Sequence, residues 1–318
     1  MGDIFEAARL LLEWDNILVL SHASPDGDTL GSATALLRGL ISLGKKVTFK
    51  CADEIGHKYG YLFDGLDLPD FEPLHIVSVD VADPVLLGKL CDEYKDKVEL
   101  AIDHHGTHVA FGKIEWTDPT AAATCQMIYR LLLELQVNID VPMADCLYTG
   151  ISTDTGCFRY SNATAETHRS AAEIIELGAN YEKINRIMFD TKTKACIDVE
   201  REVLKNMEFF YEDKIALIFI PVELIERTGA HESDLEGLPS IARGIEGVLI
   251  GITMKEKEGG VWKASVRTTP PVDASAICQS FGGGGHKGAA GCAFDTDFIA
   301  AKNMLVDRCE KYLRGKEL

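Results

Sequence analysis

Three apolar runs early in the chain end on ionisable side chains. "NILVLSH" closes on His22, "LHIVSVD" on Asp80, and "VELAIDHH" on Asp103, His104 and His105. Each run has the composition of a short buried strand. Between them lie another strand pattern, "KVTFK", and two helical patterns, "TLGSATALLRGLISLG", stopped at Gly44, and "PVLLGKLCDEY". Strands alternating with helices predict a mostly parallel sheet with flanking helices. In an open sheet of this kind, groups at the carboxyl ends of neighbouring strands line one crevice. The ionisable ends of these runs are therefore expected to converge.

Helical patterns continue at "DPTAAATCQMIYRLLLEL", with Pro119 suited to a first turn, at "MADCLYTGIST" and at "TAETHRSAAEIIELG". Over residues 181–210 the sequence turns helical and charged. Strand patterns then resume at "KIALIFI", "GVLIGITMKE" and "VWKASVRTT", before a last helix at "DFIAAKNMLVDRCEKYL". With 318 residues, 46% of them hydrophobic, the chain can build two cores. The predicted organisation is an α/β domain over 1–185, a helical linker over 186–210 and a second, smaller α/β domain over 211–318.

Chemistry concentrates in the first of these. The turn "SHASPDGDTLGS" carries His22, Asp26 and Asp28, and Asp154 in "GISTDTG" is placed to close the set. Singly, each has an ordinary reading: an Asp at a strand end caps a turn, Asp26-Gly27 is a turn signal, and a lone His can be a satisfied core imidazole. Together, four or more carboxylates in one crevice would repel one another and resist desolvation. A divalent metal resolves that conflict. Two imidazoles among carboxylates, with no cysteine nearby, favour Mn²⁺, with Mg²⁺ or Co²⁺ as alternatives. Six ligands exceed what one ion with open positions uses, so two ions sharing a carboxylate are expected.

In the second domain the run "FGGGGHKGAAGC" reads either as a flexible linker or as a phosphate nest. Gly283, Gly284 and Gly285 would bring backbone amides close to an anion, with His286 as a further donor. Arg267 in "KASVRTTPP" and Arg159 after the Asp154 motif are candidate phosphate clamps, since a guanidinium offers two parallel hydrogen bonds. His108 and His57 read as surface or supporting residues.

"SHASPDGDTLGS", "VSVDVADP", "AIDHHGTH", "GISTDTGCFRYS" and "FGGGGHKGAAGC" resemble, in order, the motifs of the DHH phosphoesterase family with its DHH-associated C-terminal domain. Within that family the chain is similar to the nanoRNase and pAp phosphatase branch. The resemblance implies that His22, Asp26 and Asp80 hold one metal and that Asp28, Asp80, His104 and Asp154 hold the other, with Asp80 bridging. It also implies that His105 faces the scissile phosphate, that Asp103 orients an imidazole, and that the glycine motif grips substrate in a cleft closed between the domains. The expected reaction is hydrolysis of short oligoribonucleotides and of 3′-phosphoadenosine 5′-phosphate (pAp), with pApA or cyclic di-AMP as alternative substrates. Manganese pyrophosphatase, a RecJ-type exonuclease and an inactive nucleotide-binding regulator are less favoured, and a homodimer is compatible with the family.

The formal charge of −18 argues against a long duplex nucleic acid as partner, because duplex binding rests on many cationic contacts to phosphates. It leaves room for a short RNA or a small nucleotide in a local basic pocket. No apolar run approaches the ~20 residues of a bilayer span, and the acidic start does not read as a leader peptide. Nine scattered cysteines suggest buried thiols in a reducing compartment. The expectation is a cytoplasmic protein without a membrane partner.

Overall fold

The computed structural model describes residues 2–315 apart from 236 and 258, and divides into two compact units at 191/192. The first unit opens with α1 (Ile4–Glu13), capped by Asp3, and then β1 (Ile17–Leu20), α2 (Gly27–Ser42), β2 (Val47–Lys50) and β3 (His75–Val79). It continues through α3 (Cys91–Tyr94), β4 (Leu100–Asp103), β5 (Ile114–Thr117), α4 (Thr124–Glu134), α5 (Val141–Asp154), α6 (Ala165–Glu176) and α7 (Tyr181–Asn185). The five strands form one sheet in the order β2-β1-β3-β4-β5, every pair parallel.

Alternation along the strands explains why both faces of this sheet are covered. Ile17, Val19, Val77, Val79, Leu100 and Ile102 join one core with apolar residues of α1, α2, α4 and α5. Leu18, Leu20, Ile76 and Ala101 face the other way, against Leu87, Tyr94 and Val98. The strands therefore read as continuous apolar runs. All five point their carboxyl ends the same way, which is what gathers the charged residues.

Two helix expectations are corrected. "PVLLGKLCDEY" forms a 3₁₀ stretch, Pro84–Leu90, interrupted where Gly88 takes φ +59°, and only Cys91–Tyr94 is α-helical. The helix expected from Pro119 starts at Thr124, because residues 118–123 form a turn in which Asp118 accepts from Thr120 N–H. Strand β5 carried no clear sequence signal.

The second unit contains α8 (Lys194–Lys205), β6 (Glu208–Phe210), β7 (Ile215–Ile220), α9 (Val222–Thr228), α10 (Pro239–Arg243), β8 (Ile250–Glu256) and β9 (Trp262–Thr268). It ends with α11 (Ala274–Gln279), β10 (Gly284–His286), β11 (Ala289–Phe294) and α12 (Phe298–Leu313). Its sheet runs β10-β11-β9-β8-β7-β6, with only β7 and β8 parallel. The helix α8 packs Val199 and Val203 into this unit's core. All nine cysteines are free, and among the described residues no helix is long and apolar enough to cross a membrane.

Candidate metal centre

The backbone aims the carboxylates before any side chain turns. Asp26 caps α2, its Oδ1 accepting from the N–H groups of Asp28 and Thr29 at 3.0 and 3.1 Å, so the turn after β1 is fixed by one of its own candidate ligands. Asp80, directly after β3, sits at φ +60°. That left-handed conformation is costly for a residue with a Cβ and marks a position held by its surroundings. Here Asp80 N–H donates to Ile102 O at 2.9 Å and Oδ1 accepts from Thr124 Oγ1 at 2.9 Å.

Asp28 is 1% exposed and receives the first N–H groups of α4, from Thr124 at 2.7 Å and Cys125 at 2.8 Å. It reaches them because α2 and α5 pack through glycines. A Cβ on Gly31 would lie 2.5 Å from Cys146 O, and one on Gly150 would lie 2.2 Å from Cys125 Sγ and 2.7 Å from Asp28 Oδ1. Asp154, at the end of α5, is steadied by Asn162, whose Nδ2 donates to Asp154 O at 3.2 Å and to Ala122 O at 3.0 Å.

Both candidate imidazole ligands have their tautomer set by a carbonyl. His22 Nδ1 donates to Ala23 O at 2.8 Å and His104 Nδ1 to Ala121 O at 3.3 Å, so that Nε2 is the nitrogen each turns toward carboxylates. His22 Nε2 lies 3.8 Å from Asp26 Oδ1 and 3.6 Å from Asp80 Oδ2. His104 Nε2 lies 3.9, 3.7 and 3.7 Å from oxygens of Asp28, Asp80 and Asp154. These gaps are too long for hydrogen bonds. They suit atoms that share a cation rather than a proton. Ligand atoms of His22, Asp26 and Asp80 lie within 4.8 Å of one another, as do those of Asp28, His104 and Asp154, and those of Asp80, His104 and His105.

The electrostatics point the same way. Burial, reinforced by the Asp80 charge, pushes the Asp28 carboxyl up to about 7. Burial and then Asp28, Asp80 and Asp26 raise Asp154 well above the usual carboxylate range. Burial opposes charge on His22, but Asp26 and Asp80 outweigh it and push the imidazole up to about 11. By itself the cluster holds protons that solvated groups would release. A donor set of oxygens and two oriented nitrogens, short of positive charge, fits divalent ions.

His105 and Asp103 form a separate pair. Asp103, fully buried, accepts from His105 Nδ1 at 2.8 Å through Oδ1 and from His108 Nδ1 at 2.7 Å through Oδ2. Burial works against its charge, yet those hydrogen bonds hold it well below the carboxylate range. His108, which the sequence suggests as a surface or supporting residue, is a supporting one; sequence reading passed over Glu115, Thr124 and Asn162. Each acts through a partner distant in sequence or in an unrecognised turn.

In the second unit the glycine run is a hairpin strand rather than a loop. Gly284, Gly285 and His286 pair with Gly291, Ala290 and Ala289, and Ala289 pairs in turn with Arg267. Arg267 and His286 thus lie in one cross-strand row on one face of the sheet. Gly283 accommodates the close pass of β11, since a Cβ there would sit 2.1 Å from Gly291 O. Arg159 is exposed, with Nε donating to Gly156 O at 2.6 Å.

Comparison with known proteins agrees with this geometry. Residues 16–151 match the DHH family, N-terminal domain, and residues 213–314 match the DHHA1 domain. The bifunctional oligoribonuclease and PAP phosphatase NrnA of Thermus thermophilus is 32% identical over 282 residues, covering 86% of this chain and 83% of that protein. An exopolyphosphatase-related protein from Bacteroides fragilis shares the fold with a TM-score of 0.88 at 24% identity, covering 97% of this chain and 96% of the other. The exonuclease RecJ bound to manganese superposes at a TM-score of 0.57 and 17% identity, covering 98% and 95% of the two chains.

Proposed function

This chain belongs to the DHH family, with a DHHA1 domain, and is a phosphoesterase; from that premise we propose that it hydrolyses short oligoribonucleotides and pAp with the help of two divalent ions, Mn²⁺ favoured. The observation that supports the two-ion reading is that Asp80 belongs to two groups of possible ligands, one with His22 and Asp26, where its Oδ2 lies 3.6 Å from His22 Nε2, and one with His104 and His105, where its Oδ1 lies 3.7 Å from His104 Nε2. His22, Asp26 and Asp80 would hold one ion, and Asp28, Asp80, His104 and Asp154 the other.

Bound there, divalent ions supply Lewis acidity, neutralising phosphoryl oxygens and making water acidic enough to attack phosphorus. The protein supplies the rest. Asp103 fixes the His105 ring through Nδ1 and leaves Nε2 to hydrogen-bond a phosphoryl oxygen where charge builds up. Arg267 and His286 offer a guanidinium and an imidazole to a second phosphate, the kind of handle that pAp and a short RNA both present. The name of the Thermus relative supports the substrate choice.

Turnover of pAp and of RNAs of 2, 3, 5, 12 and 24 nucleotides, measured at constant ionic strength with Mn²⁺, tests this. Rates should be highest for the shortest chains, because a protein with net charge −18 gives a longer polyanion no attractive track. A 24-mer cleaved as fast as a 3-mer would move the assignment to a long-strand exonuclease.

A further inference from the structure

The loop joining β4 to β5 contains a hydrogen-bonded chain of charged groups that the metal centre does not require. Asp103 spends both oxygens on imidazoles, Oδ1 on His105 and Oδ2 on His108. The other nitrogen of His108, Nε2, lies 2.8 Å from Glu115 Oε2. Glu115 is itself anchored, its Oε1 accepting from Phe111 N–H at 2.7 Å and Gly112 N–H at 2.5 Å, and its backbone is in register with Ala101 of β4. Val109 N–H donates to Ala82 O at 2.8 Å, tying the loop to the segment that carries Asp80.

We propose that His108 and Glu115 are positioning residues for His105: the chain Glu115–His108–Asp103–His105 fixes the ring orientation in which His105 meets the phosphate. The proposal rests on the reading of His105 as the residue facing substrate. Without His108, Asp103 would keep one buried oxygen without a partner and could rotate about its Cβ–Cγ bond, carrying His105 with it. Both ring nitrogens of His108 face carboxylate oxygens, so both donate and the ring is an imidazolium. Burial opposes that charge, but Asp103 and Glu115 outweigh it and push His108 up to about 9. The His108 imidazolium then offsets part of the charge of the two carboxylates it bridges. Burying such a chain merely to close a loop would be an unfavourable design, because apolar packing does so without desolvating charges. Its use is orientation, as with the carboxylates and carbonyls that hold imidazoles at metal sites.

The test uses the full chain with Mn²⁺ and pAp, comparing wild type, His108→Gln, Glu115→Gln, His105→Ala and the double variant His105→Ala/His108→Gln. His108→Gln should lower kcat roughly 10- to 100-fold, with KM and bound Mn²⁺ per chain unchanged. Glu115→Gln, which keeps an amide oxygen for Phe111 and Gly112, should show a smaller loss in kcat and serves if His108→Gln folds poorly. In the His105→Ala background, His108→Gln should cost less than about twofold, since nothing is left to orient. Histidine ring NMR of the metal-free protein should show His108 as an imidazolium and a hydrogen-bonded Nδ1–H on His105 that weakens in His108→Gln. Wild-type kcat in both His108→Gln and Glu115→Gln would overturn the inference, as would an undiminished His108→Gln effect without His105. A His105→Ala enzyme as active as wild type would instead defeat the underlying reading of His105.

Discussion

Stripping the divalent ions with a chelator should leave a protein whose folding stability declines as pH rises from 5 to 8. Asp28 titrates near 7 when folded, against about 3.9 in an unfolded chain. Between those values the folded carboxyl keeps a proton that the unfolded one has released, so its contribution is full below about 4 and is lost as pH climbs through 7. Three pH units correspond to about 4 kcal/mol from this one side chain. His22, near 11 when folded, and His108, near 9, act with the same sign at higher pH, their stabilisation full below about 6.5 and lost as each deprotonates. Asp26 and Asp103, held low by their histidines, act oppositely: their contribution is present above about 4 and disappears only as pH falls through their depressed values. Metal-free protein should therefore be most stable near pH 4 to 5 and lose roughly 2–4 kcal/mol by pH 8 from Asp28 alone, a shift of roughly 1–2 M in urea midpoint, with His22 and His108 adding to the fall above about pH 6.5. Tryptophan fluorescence in a Trp262→Phe background, which leaves Trp14 and Trp116 as reporters of the first unit, would follow the transition. Saturating Mn²⁺ should flatten the profile between pH 6 and 8, whereas repulsion from the overall charge of −18 would persist with metal bound. Metal-free stability that is level or rises from pH 5 to 8, or that falls equally with Mn²⁺, would refute the view that the carboxylates are held together against their charge.

Asp80→Ala should abolish turnover with the fold retained, because on the proposed two-ion reading it removes a ligand common to both ions and costs the structure little beyond the Thr124 hydroxyl contact, about 1 kcal/mol; more than a tenth of wild-type activity in saturating Mn²⁺ would sink the bridging assignment. Arg267→Ala and His286→Ala should raise KM for pAp by roughly tenfold or more, the worth of one charge-assisted contact, while metal analysis still finds wild-type content; loss of an ion in either variant would make that residue a ligand. Gly150→Ala should destabilise the first unit by about 1–3 kcal/mol and weaken metal binding, since its Cβ would press on Cys125 Sγ and Asp28 Oδ1. An unchanged melting temperature and metal affinity there would show that α2 and α5 can part without disturbing Asp28.

The first sheet was legible because its strands are buried on both faces, which writes them as apolar runs, and because parallel topology turns the end of each run into a position in space. His22, Asp80, Asp103, His104 and His105 fall at such ends. Strand β5, in which Ile114, Glu115 and Thr117 are half-buried and Trp116 alone is buried, has neither the apolar run nor clean alternation, and it is stabilised by pairing with β4 rather than by its own pattern. The same cause hid what His108 supports. A histidine three residues past the DHH triplet is unremarkable until β5 brings Glu115 against it. The glycine run suggests close approach of its backbone to an anion, while the structure uses the missing side chains for close passage of a strand: β11 runs so near that Gly283 and Gly285 have no room for a Cβ. Residue types there signalled proximity, and only the partner strand says proximity to what.

Local preference and global fold disagree most where the chemistry is expected. Asp80 adopts φ +60°, Asp28 and Asp103 are carboxylates with almost no exposure, and Asp28 occupies the start of α4 where a neutral cap on that helix itself would serve stability. Of these, the left-handed Asp80 and the buried Asp28 carboxyl are costs to a metal-free chain. They persist because Leu18, Leu20, Val77, Val79, Leu100 and Ile102, up to four positions before His22, Asp80 and Asp103 along β1, β3 and β4, are fully buried and hold the strand ends in place. A strand end is the cheapest place in this fold for such a conflict: the hydrogen-bonded ladder stops there, so a strained or charged residue disturbs no pairing behind it. The apolar runs and the ionisable residues that terminate them are thus one device, the first supplying the stability that the second spends.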